Sequence, residues 1–407
     1  MKVCFITYGC KVNQAESQKW DKILRKRGYE VVNEPENADC WIVNTCAVTH
    51  KAEIQSRQII NKAKKLRKNA FITGCYVELI RPKSEENINF FVNNEKDNII
   101  NYFSYMHKEK DLISFSRHRA IIKIQDGCNQ YCSYCIVPYL RGSPKSYEIR
   151  EILREIQDYE SIGIKEIILS GINIGLYGID FRNHINLNTL LRSILKETKI
   201  PRVRLTSIEI NYINEEFLEM LSHERICKHL HIPLQHGSDK ILKLMNRPYS
   251  SKEFIEKIEK ILSSYPEISI GTDVIVGFPK ETEEDFNKTL KLIEDIDFSY
   301  IHVFTYSKRP LTLASQFPDQ ISEEIKKQRT NILLEIAKSK KLNYIKKFIN
   351  KELEVIVETQ KNSYFTGTSN NYIKCLIKTD NLIKGSLIKF IVEDIDGEHA
   401  LGRAIKE

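Results

Sequence analysis

The sequence has 407 residues, of which 42% are apolar, and its 62 basic and 54 acidic side chains give a formal net charge of +8. This composition excludes a disordered or fibrous protein, and the length predicts two or three domains with full hydrophobic cores. The positive excess suits a polyanionic partner such as nucleic acid, although many proteins without such a partner share it.

The amino terminus and the apolar segments bear on where the protein works. Residues 1–10 carry neither the long apolar region nor the cleavage site of a secretion signal. No apolar segment approaches the roughly 18 to 20 residues that cross a bilayer. The sequence therefore predicts a cytoplasmic protein with no membrane partner, where disulfides are disfavoured. Its ten cysteines must then be metal ligands, catalytic thiols or buried apolar groups.

The first part of the chain alternates between short apolar segments and helical patterns. Such an order predicts a doubly wound parallel sheet, in which ligands bind beyond the carboxyl ends of the strands. Cys10, Cys46 and Cys75 each follow a predicted strand by a few residues, so these thiols are expected to meet at one edge of the sheet. The predicted strands are 2–6, 30–33, 40–44 and 70–73, and the predicted helices are 14–27 and 49–67.

A polar stretch at about 93–118 is interpreted as a connector, and a second series of strands and helices follows it. A closed β/α barrel needs eight units, whereas this region contains six, which predicts an open barrel with room for a bulky substrate. The predicted strands are 120–125, 166–170, 202–207, 229–234, 269–276 and 299–306. The predicted helices are 146–162, 187–197, 215–221, 251–263 and 281–294.

The last part of the chain changes its period. Residues 323–351 predict a basic helix, and the segments 353–358 and 372–378 then alternate in steps of two. Alternation with intervening turns predicts a small antiparallel barrel of about five strands. The basic helix and the basic cluster at 57–68 suit phosphate contacts, but a solvated helix face explains them almost as well.

Three cysteines lie in one loop after the first strand of the predicted open barrel. Cys128, Cys132 and Cys135 fall within eight residues, a spacing that lets one loop hold an iron–sulfur cluster. Three thiolates leave one iron of a four-iron cluster open, which indicates catalysis. A zinc site or buried structural cysteines are the alternatives, and the position at a strand's carboxyl end favours catalysis.

The Cys128-x3-Cys132-x2-Cys135 spacing, with Tyr134 before the last cysteine, resembles the signature of the radical S-adenosylmethionine (SAM) superfamily. The resemblance implies that SAM chelates the open iron and is cleaved to a 5′-deoxyadenosyl radical. It also implies that Tyr134 contributes to the cofactor site.

Motifs along nearly the whole chain narrow the resemblance to the radical SAM methylthiotransferase family. Thr7–Asn13, Asn44–Thr49 and Thr73–Tyr76 are similar to that family's three amino-terminal cysteine motifs, which implies a second [4Fe-4S] cluster on Cys10, Cys46 and Cys75. Ser170 and Gly171 stand where paired glycines are common and are expected at the cofactor. The segments 169–175, 231–238 and 272–279 resemble the family's core motifs, and the carboxyl-terminal strands resemble its TRAM domain, a small RNA-binding barrel.

The resemblance implies three domains. Residues 1–110 are expected to form the amino-terminal domain with the auxiliary cluster, and residues 114–345 the radical SAM core. Residues 346–407 are expected to form the TRAM-like RNA-binding domain.

The implied activity is the methylthiolation of an adenosine in tRNA. Two SAM molecules serve each turnover, one as methyl donor and one as radical source, and the target base is presented unpaired in the anticodon loop. The motifs around Cys10 and Cys46 are most similar to the branch acting on N6-threonylcarbamoyladenosine at position 37. The branch acting on isopentenyladenosine, the branch acting on a ribosomal-protein aspartate, and a non-catalytic zinc-containing RNA-binding protein are the alternatives. An electron donor such as flavodoxin or ferredoxin and a sulfur source are implied partners.

The other cysteines and three histidines receive simpler interpretations. The cysteines lack a partner at ligand spacing and are expected to be buried structural groups. The histidines lie at strand ends near the expected site, where packing is favoured over contact with a proton or cofactor. These residues are Cys4, Cys40, Cys227 and Cys375, and His231, His236 and His302.

Overall fold

The computed structural model describes residues 1–104, 118–361, 364–379 and 381–405. Its first domain is a five-stranded parallel sheet in the order β2-β1-β3-β4-β5, flanked by helices. The central strand β3 is fully buried because it pairs on both edges and both of its faces are covered. The elements are β1 Lys2–Thr7, α1 Lys11–Lys26, β2 Glu30–Val32, β3 Cys40–Thr45, α2 His50–Lys65, β4 Asn69–Gly74, α3 Cys75–Ile80 and β5 Ile88–Phe90.

The second domain is an open barrel of six parallel strands. Its two three-stranded sheets, β10-β9-β6 and β11-β12-β13, are joined by single bridges that include Ser207 with His231. A large apolar core fills the space between these strands and their helices. The elements are β6 Arg119–Lys123, β7 Gln125–Asp126, α4 Val137–Arg141, β8 Lys145–Ser146, α5 Ile149–Ser161, β9 Glu166–Ser170, α6 Leu187–Glu197, β10 Arg202–Leu205, α7 Glu215–Met220, β11 His229–His231, α8 Asp239–Leu244, α9 Ser251–Ser264, β12 Ser269–Val276, α10 Glu283–Asp295, β13 Tyr300–Thr305 and α11 Glu323–Lys346.

The last domain is a closed five-stranded barrel in the order β14-β15-β16-β18-β17. Its pairs are antiparallel, as predicted, with one exception: β16 and β18 run parallel. Closure leaves no free edge around a small apolar core. The strands are β14 Glu352–Lys361, β15 Tyr364–Ser369, β16 Lys374–Lys378, β17 Leu387–Asp396 and β18 His399–Ala404.

The order of elements confirms the predicted fold class. The ten strands predicted in the first two domains are all present, with ends shifted by a few residues. The polar stretch interpreted as a connector is partly ordered: Lys96–Tyr102 form a 3-10 helix, and Ile99 and Ile100 pack into the first domain's core. The expected boundary between residues 110 and 114 lies outside the described residues.

The last domain packs against the amino-terminal end of the barrel strands, and buried charged side chains form this contact. Glu166, at the start of β9, forms ion pairs with Arg202 (2.7 Å) and Arg204 (2.8 Å) on β10. The Arg204 guanidinium also donates hydrogen bonds to the backbone oxygens of Ser369 (2.9 Å) and Asn370 (3.1 Å). The opposite, carboxyl-terminal end of the strands carries the cysteine loop. Across the described ranges, no helix is long and apolar enough to cross a membrane.

Candidate active site

The structure places Cys10, Cys46 and Cys75 at the carboxyl ends of three adjacent strands, as predicted. Cys10 caps the amino terminus of α1, Cys46 directly follows β3, and Cys75 begins α3. β1, β3 and β4 are neighbours in the sheet, so their ends meet at one edge. Cys10 is exposed whereas Cys46 and Cys75 are buried, and the trio therefore opens to one side.

Gly9 and Asn13 hold this edge together. Gly9 has φ +87°, and a Cβ there would lie 2.6 Å from the Cys46 sulfur, so only glycine lets the two segments approach. The Asn13 amide donates hydrogen bonds to the backbone oxygens of Tyr8 (2.9 Å) and Thr45 (3.0 Å). These bonds tie the end of β1 to the end of β3, and with them Cys10 to Cys46.

The buried thiols of this trio are poor acids in the metal-free protein. Burial raises the pKa of the Cys46 thiol to about 12, and its neighbours Cys75 and Cys10 act in the same direction. Burial also raises the pKa of Cys75, although the Arg141 guanidinium opposes this shift. Metal ligation requires the thiolate, so binding at this edge must release protons.

Cys128, Cys132 and Cys135 lie in the loop between β7 and α4, at the carboxyl end of the first barrel strand. Arg247 donates a hydrogen bond to the Cys132 sulfur (3.2 Å) and pairs with Glu209, and its side chain is 1% exposed. Burial raises the pKa of Cys135 to about 12, with Cys132 the next cause. All three cysteines of this trio are half-buried, unlike the first trio with its one exposed and two buried members.

The other residues expected at the cofactor lie close to the loop. Tyr134 packs against an apolar cluster that contains Met245 and Phe278, and burial raises the pKa of its hydroxyl well above its usual range. Ser170 ends β9, and its buried Oγ has no hydrogen-bond partner within the described ranges. A Cβ on Gly171 would lie 2.8 Å from Oε1 of Gln125, the residue that precedes the loop by three positions. The absence of a side chain at 171 thus allows the β9 end to approach the loop.

Arg141 joins the two trios. It ends α4, which begins two residues after Cys135, and its guanidinium reaches into the first domain. There it donates a hydrogen bond to Asn13 Oδ1 (2.5 Å), and it also bonds Asp126 (2.9 Å). Its positive charge lies close enough to Cys75 to lower the pKa of that thiol against the effect of burial. One buried side chain therefore contacts both domains at their cysteine-bearing edges.

Glu16 supports Arg141 at the centre of a buried charge network. Its carboxylate accepts bonds from Lys96 (2.6 Å), Lys123 (2.6 Å) and Arg141 (3.2 Å). Burial would raise the pKa of Glu16, but these three cations hold it well below its usual range. The network fixes α1 of the first domain against β6 and α4 of the second.

The spacing of the sulfurs bears on which metal centre fits. In the described part of the chain, the only group of three or more metal-binding side chains whose ligand atoms all lie within 4.8 Å of one another is His231, Asp273 and His302. Neither cysteine trio is that tight. One zinc ion with thiolates at about 2.3 Å would bring its sulfurs to about 3.8 Å from one another. The wider trios suit a polynuclear cluster, in which each thiolate binds a different iron.

Comparisons with known proteins agree with this architecture. The Radical SAM superfamily model matches residues 122–293, and the family described as Uncharacterized protein family UPF0004 matches residues 2–92. Threonylcarbamoyladenosine tRNA methylthiotransferase MtaB of Bacillus subtilis (strain 168) is 34% identical, over 95% of this chain and 92% of that protein. The chain belongs to the radical SAM tRNA methylthiotransferases. Membership in this superfamily supports an iron–sulfur cluster and SAM as cofactors of the methylthiotransferase.

Two further similarities extend this result. The tRNA-2-methylthio-N(6)-dimethylallyladenosine synthase of Fervidobacterium nodosum (strain ATCC 35602 / DSM 5306 / Rt17-B1) is also 34% identical to this methylthiotransferase, over 96% of each chain. Among solved structures, the radical S-adenosylmethionine methyltransferase TsrM from Kitasatospora setae has a TM-score of 0.53 at 13% identity. That likeness covers 77% of this chain and 76% of TsrM, and it shows a shared fold.

Sequence reasoning missed the two arginines that contact thiols of the methylthiotransferase. Arg141 and Arg247 are both buried in the folded chain. Arg141 stands six residues after Cys135, and this closeness to the motif was the one available signal. Arg247 had no signal, because Asn246 and Pro248 around it resemble an ordinary turn. The four cysteines expected to be structural are all buried, as predicted.

Proposed function

We propose that this methylthiotransferase converts N6-threonylcarbamoyladenosine at position 37 of tRNA, beside the anticodon, to its 2-methylthio derivative. The observation that carries the proposal is the pair of cysteine trios at the carboxyl ends of strands in two domains that Arg141 bonds together through Asn13 and Asp126. Two separate thiol sets in domains fixed against each other suit a reaction that prepares a sulfur group at one and activates a carbon at the other. The MtaB relatives, 34% to 37% identical, support the choice of nucleoside.

The proposed cofactors are two [4Fe-4S] clusters and two SAM molecules per turnover. Cys10, Cys46 and Cys75 would hold the auxiliary cluster, and Cys128, Cys132 and Cys135 the radical SAM cluster. SAM supplies the methyl group and the radical chemistry when bound. Tyr134, Ser170 and Gly171 would line the cofactor site beside the second cluster, where Gly171 leaves space and the Ser170 hydroxyl has no hydrogen-bond partner among the residues that the structure describes.

The chain's own residues orient the reactants and exclude water. Arg141 would hold the two domains in register and place its positive charge beside Cys75. Arg247 would direct a hydrogen bond at the Cys132 sulfur, because its pairing with Glu209 fixes the guanidinium. The six-stranded barrel does not close between β6 and β13. Because α1 of the first domain packs on β6, an unpaired anticodon base would enter beside β13, where Phe304 and Thr305 are exposed.

The proposed partners are the tRNA anticodon loop, an electron donor such as flavodoxin or ferredoxin, and a sulfur source. Residues 346–407 would form the TRAM-like RNA-binding domain, after residues 1–110 and 114–345 as the two catalytic domains. The exposed basic side chains of α2, which include Arg57 and Lys65, would contact tRNA phosphates.

The test is the nucleoside profile of a bacterial host that lacks its own methylthiotransferases but makes both threonylcarbamoyl- and isopentenyladenosine. Expression of this chain should add the methylthio-threonylcarbamoyl nucleoside, measured by mass spectrometry of digested tRNA. The Cys132→Ala variant should leave the profile unchanged and serves as the control. A methylthio-isopentenyl product would contradict the proposed substrate.

One observation favours that second substrate. Relatives named tRNA-2-methylthio-N(6)-dimethylallyladenosine synthase are 34% to 36% identical, nearly the same range as the MtaB relatives. The same host therefore distinguishes the two branches directly, because both nucleosides compete for the enzyme. An unchanged nucleoside profile with an active control enzyme would contradict both.

A further inference from the structure

Three metal-binding side chains from neighbouring strands meet on one face of the sheet, apart from both cysteine trios. His231 ends β11, Asp273 lies in β12 and His302 lies in β13. Asp273 pairs in register with His302, and His231 pairs with Gly271, two residues before Asp273. Residues two apart share a face of a strand, so the register itself brings the three side chains together.

The distances between the ligand atoms match those around a bound metal ion. The Asp273 Oδ1 atom lies 2.9 Å from His231 Nε2 and 3.2 Å from His302 Nδ1. Nitrogen and oxygen ligands at about 2.0 to 2.2 Å from a metal lie about 2.8 to 3.6 Å apart at tetrahedral or octahedral angles. All three ligand atoms are within 4.8 Å of one another.

The surrounding contacts orient His231 as ligand histidines usually are oriented. Its other ring nitrogen, Nδ1, lies 3.0 Å from the Tyr300 hydroxyl, which also lies 2.8 Å from His229 Nε2. A metal-binding histidine commonly has its second nitrogen held by such a bond, which sets the tautomer and the ring orientation.

An ion can reach the three side chains. The side chains of His231 and Asp273 are 7% and 22% exposed, while that of His302 is 55% exposed. His302 lines a cavity of about 330 Å³ between β13, α11 and the last domain. Three lysines line this cavity: Lys341 pairs with Glu398 and Lys374 pairs with Glu358, whereas Lys338 has no ion pair among the described residues. The two ion pairs reduce the repulsion that an incoming cation would meet.

We propose that His231, Asp273 and His302 bind one divalent first-row transition metal ion, with open coordination positions facing the cavity. Two imidazoles and one carboxylate are the ligand set of mononuclear Fe²⁺ sites that keep positions open, and zinc accepts the same atoms. This site has nitrogen and oxygen ligands, unlike the sulfur-only trios. It shares no residue with the two cysteine trios or with Tyr134, Ser170 and Gly171, although His231 and Asp273 lie in the segments 231–238 and 272–279 that resemble the family's core motifs.

The test uses the cluster-loaded chain, treated with chelating resin and then dialysed against buffered Zn²⁺ under anaerobic conditions. Zinc per chain is measured by mass spectrometry, and zinc X-ray absorption reports the ligand atoms. His302→Ala removes an exposed ligand that the fold does not need, and Asp273→Asn keeps the shape of a buried one. His184→Ala, a histidine outside helices and strands, is the matched control.

The chain and the His184→Ala variant should each hold one zinc equivalent more than the His302→Ala and Asp273→Asn variants. The absorption spectrum should show nitrogen and oxygen neighbours for that equivalent. Equal zinc content in all four proteins would overturn the proposal, because the three side chains would then be only a hydrogen-bonded network. Sulfur neighbours for the bound zinc would overturn it as well.

Discussion

The guanidinium of Arg141 donates a hydrogen bond to Asn13 Oδ1 (2.5 Å), although the two residues belong to different domains. The Arg141 side chain is 1% exposed, so this bond forms away from bulk water. The same guanidinium opposes the burial-raised pKa of the Cys75 thiol, and charges and contacts around a ligand sulfur tune the stability and potential of a metal centre. Arg141 would therefore affect a metal centre at Cys10, Cys46 and Cys75, although it belongs to the helix that follows Cys135.

Replacement of Arg141 by Lys should weaken iron retention at the first trio by about 10- to 100-fold, as loss of such supporting contacts commonly does. Lysine keeps the charge but cannot bond Asn13 and Asp126 together as the guanidinium does. Iron per chain during chelator competition, and the midpoint potential of the auxiliary centre, are the measurements. Arg150→Lys, at an exposed position of α5, is the control. Equal retention in both variants would contradict this role.

Gly9→Ala should disrupt the first trio, because its methyl group would lie 2.6 Å from the Cys46 sulfur. Gly163→Ala is a matched control: Gly163 has φ +85°, close to the +87° of Gly9, but a Cβ there would meet nothing within 4 Å. Both variants should lose about 1 to 2 kcal/mol from the left-handed backbone. Only Gly9→Ala should also lose iron, measured per chain beside urea unfolding. Iron loss in both would show that strain alone is responsible.

Cys46→Ala and Cys132→Ala should each remove one centre and leave the other. The intact chain is expected to bind about eight irons when purified without oxygen, and each variant about four. Cys132→Ala should abolish 5′-deoxyadenosine formation, whereas Cys46→Ala should retain it but form no methylthio product. Colourless protein with stoichiometric zinc would instead support a non-catalytic RNA-binding protein. Deoxyadenosine from Cys132→Ala would refute the assigned radical site.

Glu166→Gln should destabilise the junction of the open barrel with the last domain by about 3 to 5 kcal/mol, because Arg202 and Arg204 would remain buried without their carboxylate. Urea unfolding at pH 7 measures the loss. Glu151→Gln, at an exposed position of α5, is the control and should change stability little. A loss below about 1 kcal/mol would show that hydrogen bonds to backbone oxygens are enough to stabilise the two buried arginines without the carboxylate.

The same carboxylate should make stability depend on pH. Burial would raise the pKa of Glu166, but Arg202 and Arg204 hold it well below its usual range. A carboxyl group with a lowered folded pKa stabilises above the unfolded pKa of about 4.3, and this contribution falls as pH drops towards the folded value. The difference in unfolding free energy between the wild type and Glu166→Gln should therefore shrink as the pH falls from about 5 to about 3. The slope should approach the value for about one proton taken up on unfolding. A constant difference would contradict the ion pairing.

Local pattern was enough to predict most of the fold and the cysteines of the candidate site. Strand β12 and helix α6 were predicted at their observed bounds, since each shows one clear apolar period. Short elements such as β5 and α3 were missed, because three to six residues carry too little periodicity. The parallel pairing of β16 with β18 was also missed, since alternation indicates strands but not their direction.

By itself, the sequence determined that Cys128, Cys132 and Cys135 share a loop, because their spacing is a property of the local chain. It also determined that Cys10, Cys46 and Cys75 lie at one edge. An alternating order of strands and helices makes the strands parallel, so all their carboxyl ends lie at the same edge of the sheet. Only the tertiary structure decided that Arg141 contacts Cys75 and that His231, Asp273 and His302 meet. Such contacts depend on how separate elements pack and on their register, and these arise from the sum of many interactions that no local pattern encodes.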